Sequence, residues 1–368
     1  MFYKTAKMTA GGGACCLLNE IPPCARRVSF AILQPSNPSG ESAKAGHCCG
    51  GSFLFMEAEN SEIPFEERGK TNQALVELLA ARGLGGESSD ILRALETVGY
   101  FRLKGYLFPL LKKGAADKSF VEGATIGRAW KLYTVDRKLR VMVFEALARI
   151  EVAIRALIVR SHLERNDDPM AYADAANMPN LSEAMYSNLL DHIRGACRKS
   201  SAEPMIRHLK EKYGITNTPP IWTMMEVVEF GTVTLYYQGL PTDVQRLVAD
   251  AFHVPPNALG GILNLLRRAR NVCAHHSRFW NRRINAGVSS GLGNAPEIAP
   301  LEECLRAASE QKGTSAFVTL SLVAYCMSVL RPESEWKSRC RDFLAACDAF
   351  VLRGMGFPAD WQSLALWK

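Results

Sequence analysis

Apolar residues recur every three or four positions through most of the chain beyond residue 70, which is the spacing of amphipathic helices. One stripe at 136–160 predicts a single long helix; its members are Leu139, Val143, Leu147, Ile150, Ile154, Leu157 and Ile158. Further helices are predicted at 71–85, 88–111, 181–213, 219–240, 242–252, from about 256, and at 301–311, 315–330 and 333–353. Alternation typical of strands is scarce, so the pattern predicts an all-α fold.

The helix predicted from about 256 has an apolar track on one side, made of Leu259, Ile262, Leu263, Leu266, Ala269, Val272 or Cys273, and His276. The track predicts that His276 is a core or supporting histidine, and Trp280 is predicted to anchor the core. Asn271 and His275 lie one turn apart on the other side. Arg270 precedes His275 by five residues, about 140° around an ideal helix. The two can meet at one bound group if the arginine folds over or if a second helix supplies its own copy.

The predicted long helix also carries a charged row, which consists of Asp136, Arg137, Arg140, Glu151 and Arg155. A salt-bridged face of a helical bundle is the favoured interpretation, and a row that faces RNA or supports the site is the alternative. Trp222 and Phe230 are predicted to be core residues, and a break in the helix at 219–240 is predicted at Gly231.

Composition indicates a soluble globular protein, with 48% hydrophobic and 22% charged residues. The net charge of +7 is modest, so a polyanion would have to bind a local basic patch. The segment 1–55 is rich in Gly, Pro, Ser and Cys and is predicted to be disordered or a misassigned leader. The uncharged stretch 313–330 is predicted to be a core helix rather than a membrane span. These features predict a cytoplasmic protein without a membrane contact.

The eleven cysteines do not form a recognisable metal or redox motif. Five lie before residue 50, the other six are single, and no CxxC pair occurs. We therefore expect free thiols, no metal and no cofactor.

The basic patch is concentrated in one stretch, "RRARNVCAHHSRFWNRR" at 267–283, which holds six arginines, while no acidic residue occurs from 261 to 285. Cleavage of RNA through its 2′-OH requires proton transfer, which imidazole performs, and stabilisation of phosphate charge, which guanidinium provides. The arginines predicted to contact RNA are Arg267, Arg268, Arg278 and Arg282. From the residues alone, a basic surface that contacts phosphate without catalysis is the commoner role of such a helix.

Several segments in one order resemble the Abi-like family of bacterial abortive-infection proteins. They are "LLAARGL", "LETVGYFRLKGYLFPL", "LYTVDRKLRVMVFEALARIEVAIRALI", "PIWTMMEVVEFGTVTLYY" and "ARNVCAHHSRFWNRR". The resemblance covers roughly 70–285 and implies membership of the HEPN superfamily of helical proteins, many of them metal-independent endoribonucleases. Their shared motif is an arginine, a polar residue, a short spacer and a histidine.

By this resemblance His275 would be the acid/base group, Arg270 the phosphate-stabilising group and Asn271 the orienting amide. The resemblance also implies a homodimer, because HEPN sites commonly form where two motif helices meet. The predicted organisation is an Abi-like HEPN-type helical bundle at 70–285, followed by a C-terminal helical extension at 286–368.

The expected function is phage defence by metal-independent cleavage of RNA, with an inhibitory RNA or an antitoxin as a further partner. A non-catalytic HEPN module that binds RNA or protein is the alternative, and a metal nuclease is a third possibility.

Overall fold

The computed structural model describes residues 69–284, 291–309 and 315–368, so the segment 1–55 lies outside the described residues. The described residues form fourteen α-helices, six short 3-10 turns and no strand, which confirms the all-α prediction. The helices are α1 Asn72–Ala81, α2 Ser88–Val98, α3 Tyr100–Leu107, α4 Ile126–Arg165, α5 Glu183–Lys199, α6 Pro204–Tyr213, α7 Ile221–Val227, α8 Phe230–Gly239, α9 Thr242–Asp250, α10 Pro256–Ala274, α11 Ala299–Ser309, α12 Ala316–Leu330, α13 Trp336–Ala345 and α14 Ala349–Met355.

Helix α4 is the central element of the fold. Its 40 residues span about 60 Å at the usual rise of an α-helix. The Thr125 side chain caps its first turn by accepting a hydrogen bond from the Arg128 amide at 3.2 Å. The predicted apolar stripe is buried, apart from the partly buried Leu157. Helices α3, α7, α8, α9, α10 and α12 all pack against α4, so its stripe organises the core.

Helix α10 packs across α4 and also contacts α8, α9 and α12. It begins at Pro256, where a proline costs no intrahelical hydrogen bond. The predicted apolar track is buried as far as Cys273. The basic side of α10 is thereby held at a fixed position on the core.

The C-terminal helices contribute to the same core as the preceding ones. Residues 316–327 of α12 are all buried, and α12 packs on both α4 and α10. This confirms the predicted core helix. Among the described helices, none combines the length and apolar character that crossing a membrane requires.

Four predictions about the elements were wrong in detail. The region predicted as a helix at 88–111 is split into α2, α3 and a final 3-10 turn, the region predicted as one polar helix at 181–213 is split into α5 and α6, and 333–353 is split into α13 and α14. The break predicted at Gly231 falls instead at Val228 and Glu229, before α8 begins. Phe230 is buried as predicted, but Trp222 is 50% exposed. The buried side of the short helix α7 is already filled by Ile221, Met224 and Met225, so Trp222 points outward.

Candidate functional site

The basic stretch ends α10 in a Schellman motif, a tight reversal of the chain just after a helix. His275 caps the helix, and its amide donates to the Asn271 carbonyl at 3.0 Å. The amides of His276 and Ser277 then donate to the carbonyls of Cys273 and Val272, at 3.1 and 2.9 Å. Helical geometry therefore stops at Ala274, and the residues that follow no longer continue the apolar track.

This reversal explains why the core position predicted for His276 was wrong. His276 is exposed and occupies the left-handed position of the motif, with φ of 53°. Its carbonyl accepts a hydrogen bond from the Arg102 guanidinium of α3. The structure thus places the ring outside the core and gives His276 a backbone role. Trp280, by contrast, is fully buried as predicted, and its indole donates to the Val351 carbonyl at 2.9 Å.

A buried carboxylate on α4 fixes the chain that follows the reversal. Asp136 accepts hydrogen bonds from the amides of Phe279 and Trp280, at 3.1 and 2.6 Å. It also accepts from the Tyr106 hydroxyl and forms an ion pair with Arg140. Burial raises the pKa of the Asp136 carboxyl, and these four donors oppose that shift by stabilising the charged form. Asp136 therefore links the core helix to the loop that carries the last arginines.

An open cleft of about 460 Å³ lies along the end of α10 and this loop. Its polar lining consists of Arg267, Arg268, Asn271, His275, Ser277, Arg282 and Arg283, with Val272 and Ile284 as apolar members. No carboxylate is among these lining residues. Burial and the neighbouring Arg268 lower the pKa of Arg267, but a guanidinium remains protonated at neutral pH. The cleft thus combines one imidazole, one amide and four cations, which suits a phosphate diester.

The structure brings together most, but not all, of the predicted site residues. His275 and Asn271 line the cleft with the predicted contact arginines Arg267, Arg268 and Arg282. Arg278 is not part of the lining, because its guanidinium donates to the Gly105 carbonyl of α3.

Arg270 also lies outside the cleft lining and faces α4. Its Nε atom is 3.4 Å from a carboxylate oxygen of Glu151, a nearly buried residue. The other Glu151 oxygen accepts a hydrogen bond from Arg155 at 2.5 Å, and Arg155 in turn donates to the Met225 carbonyl. Arg270 is therefore held on α4 in the single chain, while its side chain stays about one third exposed.

The predicted salt-bridged face of α4 is confirmed by these contacts. Asp136 pairs with Arg140 and Glu151 pairs with Arg155, each four residues apart on the helix. The sequence did not show that Asp136 also binds the loop that follows α10, or that Glu151 also pairs with Arg270 of α10. Glu151 belongs to the charged row for which support of the site was the alternative interpretation, whereas Arg283 and Ser277 are further residues of the cleft that sequence reasoning missed. For Arg283 and Ser277 the available signal was their place in the basic stretch.

The Cys273 thiol, near the end of α10, is not activated. Burial raises the pKa of the Cys273 thiol to about 12, so it stays protonated at neutral pH and is a poor nucleophile. Among the described residues, no three His, Cys, Asp or Glu side chains are grouped closely enough to hold a metal ion. The groups available for chemistry in the cleft are therefore the imidazole, the amide, the serine hydroxyl and the guanidinium groups.

Comparison with known proteins gives one family match. The model of the family described as Abi-like protein matches residues 93–281, which include all of α4 and α10 and the Arg270–Asn271–His275 set. Comparisons with curated proteins and with solved structures gave no match. The family is associated in general with abortive infection, a form of phage defence. Since the match covers about half of the chain, the protein belongs to the Abi-like family.

Proposed function

We propose that this protein is a metal-independent endoribonuclease of abortive-infection phage defence. The observation that supports this most is the composition of the cleft, where His275 and Asn271 lie among four arginines and no carboxylate lines the walls. A polyanion is attracted to such a surface, and an imidazole beside bound phosphate is placed for proton transfer.

In the proposed reaction the RNA backbone lies in the cleft with a ribose 2′-OH beside His275. The imidazole removes the 2′ proton, and the 2′-oxygen attacks the adjacent phosphorus. The bond from phosphorus to the 5′-oxygen then breaks, and the departing oxygen takes the proton back from the imidazolium of His275. The products are a 2′,3′-cyclic phosphate and a 5′-hydroxyl. Asn271 orients the imidazole or the substrate, and the arginines stabilise the negative charge that develops on the phosphorane.

Arg270 gives a reason to propose a homodimer. In one chain this guanidinium is held by Glu151 and does not line the cleft with His275. A second copy that brings its Arg270 to the first copy's His275 would complete the site without breaking that ion pair. An inhibitory RNA or an antitoxin protein would then act by covering the cleft or by separating the two copies.

The alternative function is a non-catalytic module that binds RNA or a protein partner. The location of Arg270 outside the cleft favours it, because binding phosphate requires only the four lining arginines.

Cleavage of mixed RNA in the presence of EDTA separates these functions. The proposal predicts chelator-resistant cleavage by the wild type that is lost in both His275→Ala and Arg270→Ala. The exposed His208 of α6 provides a matched control, and His208→Ala is expected to cleave normally. RNA binding without cleavage by the wild type would support the alternative, and activity abolished by EDTA would indicate a metal nuclease.

Mixing the two inactive variants tests the shared site. If His275 of one copy works with Arg270 of the other, a mixed dimer contains one intact site. An equimolar mixture should then recover about one quarter of wild-type activity, as random pairing of copies gives. No recovery after mixing would indicate that each chain completes its own site.

A further inference from the structure

A second cavity adjoins the arginine-lined cleft and shares one side chain with it. This cavity of about 530 Å³ lies between the C-terminal half of α5, the junction of α7 and α8, and α10. Arg267 of α10 lines both spaces. A volume of this size is within the range of pockets that hold small organic groups, roughly 300 to 1,000 Å³.

Arg267 is held in place between the two spaces. Its guanidinium donates to the Asn264 side chain at 2.8 Å. Its stem passes close to Gly231 at the start of α8, where an added Cβ would lie 3.7 Å from the Arg267 Cδ. An RNA strand bound along the cleft would therefore reach the second cavity immediately beyond the Arg267 side chain.

The chemistry of the second cavity differs from that of the cleft. It is lined by two carboxylates, Asp191 and Glu229, as well as by His192 and Lys199. Asp191 already accepts a hydrogen bond from Arg194 at 3.2 Å, and Lys199 lies 3.9 Å from Glu229; all four side chains are exposed, so each carboxylate keeps further acceptor positions open. Carboxylates repel phosphate, but they accept hydrogen bonds from the amino groups of bases. The cavity is thus suited to a planar group with amino donors rather than to the sugar–phosphate backbone.

Thr232 supplies an independent observation. It lines the cavity although only 5% of the residue is exposed, and no hydrogen bond of its hydroxyl occurs within the described part of the chain. The neighbouring Thr234 satisfies its own hydroxyl by donating to the Phe230 carbonyl at 2.9 Å. The Thr232 hydroxyl is not among the fully buried, unpartnered side-chain atoms of the described residues, so it keeps some exposure at the cavity wall and is available to a bound polar group.

We propose that this cavity is a base-recognition subsite, which receives the unstacked nucleobase next to the phosphate held in the cleft. Asp191 and Glu229 accept from an exocyclic amino group, Thr232 bonds a second edge atom, and Arg267 holds the phosphate between the two spaces. The subsite therefore favours adenine, cytosine or guanine over uracil, which has no amino group. This inference deepens the proposed function and rests on RNA as the substrate.

Binding is measured first, with labelled 2′-O-methyl hexamers of A, C and U, whose blocked 2′-oxygen prevents cleavage. The wild type is expected to bind the A and C hexamers at least about fivefold more tightly than the U hexamer. Asp191→Asn, Glu229→Gln and the isosteric Thr232→Val should reduce this ratio to about twofold or less, while each variant melts at the wild-type temperature. Glu226→Gln, which changes an exposed carboxylate outside the cavity, should keep the full ratio.

Cleavage of a random RNA pool, with the cut ends sequenced, separates this inference from the proposed function. A base preference beside the cut that disappears in Glu229→Gln supports both. Cutting with the same preference in the wild type and all three cavity variants overturns the subsite and leaves the nuclease standing. If the wild type does not cut RNA, but its preference among the hexamers is lost in those variants, the subsite stands and the proposed nuclease activity is wrong. Equal affinity of the wild type for all three hexamers overturns the subsite.

Discussion

At the scale of single residues, His276 occupies a backbone conformation that suits glycine better than histidine. Its φ of 53° lies in the left-handed region, where a Cβ crowds the backbone. The ring is exposed and lies outside the cleft lining, so no packing offsets this strain.

We predict that His276→Gly raises the free energy of unfolding by about 0.5 to 1 kcal/mol, because relief of the left-handed strain outweighs the added freedom of the unfolded chain. Asn281→Gly is the matched control, since Asn281 has φ of 50° but asparagine tolerates this region, and a smaller gain is expected. Denaturant unfolding measures both. A destabilised His276→Gly protein would mean that the ring makes a contact that matters for stability.

The arginines divide into those that face the cleft and those that support the fold. Arg268 is exposed and lines the cleft, whereas the Arg278 guanidinium donates a hydrogen bond to the Gly105 carbonyl. We predict that Arg268→Ala weakens RNA binding and lowers the slope of log affinity against log salt by about one. Arg278→Ala should leave the salt slope unchanged and lower the melting temperature. Arg207→Ala on α6 is the control for removal of an exposed cation. Equal salt slopes for Arg268→Ala and the wild type would contradict a phosphate contact.

At the scale of elements, α4 supports the end of α10 with two carboxylates. Asp136 holds the loop after the motif, and Glu151 holds Arg270. Under the proposed function, we predict that Glu151→Gln lowers kcat for RNA cleavage by about ten- to hundredfold with little change in KM, because a misplaced Arg270 guanidinium no longer meets the negative charge that develops on the phosphorane. Glu151→Asp should recover part of the loss.

The control for this prediction lies on the same helix. Glu145 pairs with Arg149 at 3.0 Å and with Arg339 at 2.7 Å, away from the motif. Glu145→Gln should therefore keep the wild-type kcat. A loss of activity in Glu151→Gln that matched its loss of folded protein would show a structural role alone.

The sequence predicted the elements well where a local rule applies and poorly where distant residues decide. Periodicity was sufficient for the stripe of α4 and for the buried α12, because helical spacing is local. The predicted apolar track of α10 wrongly included His276 as its last member. The helix ends before that residue in the Schellman motif, whose formation depends on contacts of the chain that follows the helix. Asp136 meets Phe279 across 143 residues of sequence. Such a contact, like that of Glu151 with Arg270, leaves no local pattern.

At the scale of the whole molecule, a buried histidine couples the fold to pH. His162 at the end of α4 lies between the Tyr236 hydroxyl, 2.9 Å from Nδ1, and the Asp168 carbonyl, 3.4 Å from Nε2. The neutral ring suits both partners, since it accepts at Nδ1 and donates from Nε2. Burial lowers the pKa of His162 below its ordinary value of 6.5.

The unfolded chain therefore takes up this proton at a higher pH than the folded chain. We predict that stability is full above about pH 6.5 and falls as the pH drops from there towards the folded pKa, by at most about 1.4 kcal/mol per pH unit from this group. Urea unfolding at pH 7.5 and 5.5 measures the difference. His162→Gln should reduce it, and His208→Gln on the surface should not. An unchanged pH dependence in His162→Gln would exclude His162 as the cause.

Asp136 joins the interior of the bundle to the loop that carries Arg282 and Arg283. Under the proposed function, genetic selection for variants that no longer arrest bacterial growth is expected to recover Asp136 and Tyr106 alongside His275 and Arg270. Substitution of Asp136 or Tyr106 would destabilise the fold, whereas substitution of His275 or Arg270 would remove a group from the proposed active site. Immunoblots of each variant's cellular level would sort them, since misfolded chains are degraded and inert but folded chains accumulate.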